Sequence, residues 1–133
     1  MRLSLSGGLQ IYAEIIGILG SLPNLDRART LKLAEAAAQR GAADKLDLLF
    51  VLLDIALGRL ARTGATGSPP ATQAAPHEST VLARLAPDAR AARGWATTQQ
   101  QVSARAAHGR AVNLDPAALV LDTFFKLQQQ ALA

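Results

Sequence analysis

Hydrophobic positions recur along this chain at three- and four-residue spacing, the period of an amphipathic helix, and no stretch of four to eight residues alternates as a strand does. Leu9, Tyr12, Ile15, Ile16, Leu19 and Leu22 share one face, flanked by Ile11 and Ile18, which predicts a helix from about Gly8 to Ser21 that stops at Pro23-Asn24. Asp26 is placed to cap a second helix ending at Arg40-Gly41, with Leu31, Ala34, Ala37 and Ala38 as its buried face and Leu33 to one side. A third helix, Ala43 to Arg62, carries the stripe Leu46, Leu49, Phe50, Leu53, Leu57 and Leu60, while Leu48, Val51, Leu52 and Ile55 cover its other sides. A helix apolar nearly all round is central in a bundle or carries a second contact surface.

The pattern then lapses. Residues 64–76, GATGSPPATQAAP, hold too little apolar surface to offset chain entropy and read as a flexible loop. A short helix over about His77 to Leu85 turns Val81, Leu82 and Leu85 inward and breaks at Pro87-Asp88. The next begins at Ala89 or at Trp95 and runs to Val112 with a thin apolar face of Trp95, Val102, Ala106 and Val112, Thr98 and Gln99 beside it. Gly109 there permits close packing or a kink. Asp115-Pro116 opens the last helix, a cap followed by proline in the first turn. Its apolar residues Leu119, Val120, Leu121, Phe124, Phe125 and Leu127 spread over more than one stripe. The fold class is therefore all-α, a bundle of five to six helices. Residues 9–131 are expected to form one domain.

Composition agrees: Ala and Leu make up more than a third of the 133 residues, and aromatic residues only 4%. With no cysteine, disulfides, thiolate metal sites and cysteine nucleophiles are excluded. The net charge of +4 is compatible with nucleic acid, but the eleven arginines are dispersed and no run of like charges appears, which points to solvated faces. The longest apolar stretch, Leu46 to Leu60, is interrupted by Asp47, Asp54, Gly58 and Arg59. A membrane span needs roughly 18 or more apolar residues. No apolar leader follows Met1-Arg2, and a cytoplasmic location is expected.

Candidate chemistry is sparse. His77 and His108 lack ligand-spaced partners, and no phosphate-binding glycine motif occurs. Asp44 and Asp47 share a helix face, a spacing open to acid–base or metal chemistry, but Asp44 is better read as favouring the helix start. Trp95, the only tryptophan, reads as a core anchor rather than a base-stacking platform. No catalytic residue, metal, cofactor, membrane contact or small-molecule substrate is expected.

One stretch is distinctive. Ser103-Ala-Arg-Ala-Ala-His-Gly-Arg-Ala-Val-Asn113-Leu114-Asp115-Pro116, then Ala-Ala-Leu-Val-Leu-Asp-Thr-Phe124, resembles the end of the delta prime subunits of bacterial DNA polymerase III, particularly the alphaproteobacterial form. Tyr12-Ala-Glu-Ile-Ile, Leu22-Pro23 with Leu25-Asp26, and Gly41-Ala before a long apolar helix are similar to the start of that family's C-terminal collar domain. The resemblance implies a collar domain with residues 1–8 as a remnant of the preceding lid or linker and without the nucleotide module, and hence no enzyme activity in these residues. It implies a role in DNA replication: holding the clamp-loader pentamer together beside gamma/tau and delta subunits, with DNA met only through the complex. Val120, Phe124 and Leu127, or Leu48 and Leu52, are the candidate interface residues, with intramolecular core as their other reading. An independent basic helical module that binds nucleic acid is the alternative function.

Overall fold

The computed structural model describes residues 5–133; residues 1–4, half of the 1–8 remnant, lie outside the described residues. Six α-helices follow one another, with no strand among the described residues: α1 Leu5–Ser21, α2 Arg27–Ala38, α3 Ala43–Thr66, α4 Glu78–Leu85, α5 Ala89–Ala111 and α6 Pro116–Leu132.

Three of the helix starts are set by the same device. The carboxylates of Asp26, Asp88 and Asp115 accept the backbone N–H three residues on, from Arg29 (3.0 Å), Ala91 (2.8 Å) and Ala118 (2.9 Å). Each satisfies an N–H that has no partner inside its helix, and such a cap contributes about 1 kcal/mol. The Asp88 cap decides between the two expected starts of α5 in favour of Ala89.

The helix α3 is the axis of the bundle. It packs most extensively on α5 and also meets α1, α2 and α4, while α6 closes the far side over α2 and α5. The expected stripe is present: Leu49, Phe50, Leu53, Leu57 and Leu60 are buried against Ile15, Ile16, Leu19, Leu82 and Trp95. α3 runs one turn beyond the expected Arg62, through Gly64 to Thr66. A Cβ at Gly64 would sit 2.6 Å from the Asp88 carbonyl oxygen and 2.8 Å from the Ala92 Cβ, so the missing side chain is what lets α5 start against the end of α3. At the other end of α5, Gly109 is buried and gives close packing, with Leu119 at 3.0 Å from where its Cβ would be.

Several expected core positions are different. On α2 the buried face is Thr30, Leu33, Ala34 and Ala37, and Leu31 is exposed. These four fit the helical period better than the face centred on Leu31, and Thr30 enters the core because its hydroxyl donates to the Asp26 carbonyl at 2.8 Å. Val112 lies just past the end of α5 and is exposed, so the face of α5 is completed by Ala92 and Thr98 instead. Val120, Phe124 and Leu127, three of the five candidate interface residues, are within 1% of complete burial in the core. They fall on the single stripe of α6 that faces the bundle, at i, i+4 and i+7, and a partner cannot reach them without opening it.

Candidate functional site

Polar chemistry inside the bundle converges on one residue absent from the sequence-based expectations. Glu78, the first residue of α4, is 1% exposed. Its carboxylate accepts four hydrogen bonds. The Tyr12 hydroxyl of α1 donates to Oε2 at 2.5 Å, and the Ala74 backbone N–H to Oε1 at 2.7 Å. Arg59 Nη1 of α3 approaches both oxygens, at 3.3 and 3.4 Å. The same guanidinium donates through Nη2 to the Thr72 carbonyl at 3.1 Å. A buried carboxylate is tolerable only when paired and hydrogen-bonded, and here both conditions hold. Burial, then the hydrogen bond to Glu78 and its charge, push the Tyr12 hydroxyl well above the usual tyrosine range; Arg59 opposes this weakly.

The arrangement fastens the connection between α3 and α4. The loop carries no charge of its own, yet its backbone at Thr72 and Ala74 is held by Arg59 and Glu78, Gln73 Oε1 accepts the Ser79 N–H at 3.0 Å, and Ala75 is buried. The one sequence signal for this cluster was Tyr12, a lone hydroxyl on an otherwise apolar face. The donors and acceptors of the cluster are consumed by each other, and no buried side-chain polar atom lacks a partner among the described residues.

The other sequence candidates stay apart. His77 precedes α4 in a left-handed conformation and His108 is on the surface near the end of α5; both are exposed. Asp44 and Asp47 are exposed in the first turns of α3, and Asp47 pairs with Arg110 at 3.4 Å. No group of three potential metal-ligating side chains occurs among the described residues. Trp95 is buried with its indole N–H on the Leu85 carbonyl at 2.9 Å, a core anchor. Five of the eleven arginines bind internal partners: Arg29 on Glu14, Arg59 on Glu78, Arg105 on Asp122, Arg110 on Asp47, and Arg84 on the carbonyls of Gly20 and Leu22. These pairings fix the arginines within the fold and leave the net charge at +4.

The surface feature that remains is apolar. Val51 and Ile55 of α3 are 56% and 45% exposed. They edge a groove of about 340 Å³ between α3 and α5 whose floor and far wall are Phe50, Val102 and Ala106, with the Arg110 guanidinium 5.6 Å from the Phe50 ring centroid. Leu48 and Leu52, the other candidate interface residues, are half-buried and pack against the core. No helix among the described residues is long and apolar enough to cross a membrane. Comparison with family models, curated proteins and solved structures found no match to this chain.

Proposed function

We propose that this chain is an assembly module, the collar domain of a delta prime-like clamp-loader subunit. The observation that carries the proposal is the division of labour among its side chains. The buried polar groups of the described residues are used up in holding helices and loop together, while two exposed apolar residues, Val51 and Ile55, stand one turn apart on α3 beside the α3–α5 groove. A module of that kind binds other proteins and performs no chemistry of its own. The resemblance of residues 103–124 to the delta prime subunits supplies the particular partners. Its Asn113-Leu114-Asp115 turn has a local physical reason here: Asn113 takes the left-handed conformation, the Leu114 N–H returns to the Gly109 carbonyl at 2.8 Å, and Asp115 caps α6.

The direct test is reconstitution. The purified chain is mixed with the gamma/tau and delta subunits of the same organism and the mixture is resolved by size-exclusion chromatography. Co-elution in a stoichiometric complex is expected. A chain that elutes alone in every combination overturns the proposal.

A further inference from the structure

We propose that the groove between α1 and α2 is a docking site for an acidic amphipathic helix of a partner protein, which sets aliphatic side chains over Ile11 and Leu33 and carboxylates on Lys32 and Lys45. The inference does not rest on the clamp-loader reading, and the site shares no residue with the α3–α5 groove.

The groove has a volume of about 340 Å³. Gln10, Ile11 and Glu14 of α1 form one wall, Lys32, Leu33 and Ala36 of α2 the other, and α3 adds Lys45. Both walls repeat one spacing, i, i+1 and i+4, which keeps three residues on the same side of a helix. Ile11 and Leu33 are nearly buried and form the floor, and Ala36 is too short to fill the space above them.

The charges are what single this groove out. Of the three charged residues that line it, only the acid is satisfied. Both Glu14 oxygens are held by the Arg29 guanidinium, at 3.0 and 3.3 Å, and this hydrogen bonding keeps the Glu14 carboxyl below the usual carboxylate range. Lys32 has only a weaker electrostatic interaction with the same Glu14. Lys45 is half-buried and has no hydrogen-bond or ion-pair partner among the described residues. Glu35 and Asp44, the acids nearest these lysines in the sequence, do not line the groove. Lys45 also stands in the first turn of α3, where the helix dipole disfavours a cation. An incoming carboxylate offsets that cost at Lys45 and gives Lys32 an acceptor that Arg29 does not already hold.

The apolar floor selects among anions. Nucleic acid is held by cations spread along a phosphate path, and here two lysines stand beside aliphatic residues that offer a phosphate nothing. A helix laid in a groove brings aliphatic anchors on one face and charges on its flanks, which matches this composition. The contact is small and its charges are exposed to solvent, so binding is weak.

The test uses the full chain and a fluorescent helical peptide of about 20 residues, with leucines along one face and glutamates on both sides of it. Fluorescence anisotropy at low salt is expected to give a Kd of about 100 µM, which rises as added salt screens the lysines. Lys32→Glu and Lys45→Glu each weaken binding by about fivefold. Arg93→Glu, the same charge change at an exposed position of α5 outside the groove, stays within about twofold. A peptide with lysine in place of every glutamate binds the parent about tenfold more weakly, and it prefers the double variant Lys32→Glu with Lys45→Glu. Circular dichroism checks that each variant stays helical. No binding of the glutamate peptide at about 1 mM overturns the proposal. So does binding that survives replacement of the peptide's leucines by serine, or that Arg93→Glu weakens as much as the lysine variants do. Single-stranded DNA that binds more tightly than the peptide, with the same dependence on both lysines, overturns it in favour of a nucleic-acid site.

Discussion

On its inner side α3 buries Leu49, Leu53, Ala56, Leu57 and Leu60 among the four other helices it meets; half a turn round, the same helix leaves Val51 and Ile55 open to solvent. Both faces carry large apolar residues, although the outer one also carries Asp44, Gly58 and Arg62. What separates them is context. The inner face is bounded by features that admit one neighbour in one position: Gly64, which fits only the start of α5, and Arg59, which reaches Glu78 and the loop backbone. At Val51 and Ile55 the outer face has no such lock. The contrast teaches that an apolar stripe by itself does not say whether it belongs to the core or to a surface.

The sharpest way to break the comparison is at Glu78. Replacing it with Ala leaves the Arg59 guanidinium, the Tyr12 hydroxyl and the Ala74 N–H without their acceptor. Removing one partner of a buried pair costs about 3–5 kcal/mol, and the lower end applies because Arg59 keeps partial contact with water. Urea denaturation of Glu78→Ala is expected to show a loss of about 3 kcal/mol. Proteolysis is expected to cut first within residues 67–77, the segment that Glu78 and Arg59 hold. A variant as stable as the parent would mean that the cluster does not lock the inner flank of α3.

Tyr12→Phe comes next. It removes one hydrogen bond to a charged acceptor, worth about 1.5–3 kcal/mol, and keeps the ring packing. It also alters the pH dependence. The folded-state pKa of Tyr12 is raised, so above its ordinary value of 10.0 the unfolded chain releases this proton first and the folded chain holds more protons. The contribution is therefore complete below about pH 10 and is lost as pH rises toward the folded-state value. Stability of the parent is expected to fall faster than that of Tyr12→Phe above about pH 10, read as the difference between their urea midpoints. Because Tyr12 is the only tyrosine, tyrosinate absorbance reports the same titration in the folded protein.

Gly64→Ala tests the close approach of α5. The added methyl meets backbone at 2.6 Å, which cannot yield as a flexible side chain can. Overpacking of this kind costs about 1–3 kcal/mol, and the better helix propensity of Ala returns up to about 1, for a net loss near 1.5 kcal/mol in the same denaturation experiment.

These positions also mark what was legible in the sequence. Local signals were: the Asp26 and Asp115 caps, the period of α1 and α3, and Trp95 as a core anchor all follow from residues within a turn or two of one another, whereas Asp88 was read as a break and is a cap. Leu31 and Leu33 were exchanged because the burial of Thr30 depends on a side-chain hydrogen bond that no hydropathy pattern registers. The α6 residues Val120, Phe124 and Leu127 were offered to a partner because an excess of apolar positions does not reveal which of them face inward. The Glu78 cluster joins residues 12, 59 and 78, and Glu78 stands beside a stretch that reads as featureless. Only tertiary structure brings them together.

Val51→Asp carries the smallest expected effect on stability and so defines the other side of the comparison. The site is more than half exposed, touches no buried polar partner and lies mid-helix, where an aspartate costs only its lower helix propensity. Surface changes of this type stay within about 0.5 kcal/mol. The denaturation midpoint of the isolated chain is expected to match the parent within that margin. The symmetric change on the inner face, Leu53→Asp, would place an unpaired charge in the core and prevent folding. A large loss for Val51→Asp would mean that Val51 is sequestered within the chain, and the outer face would then be a second core surface rather than one open to a partner.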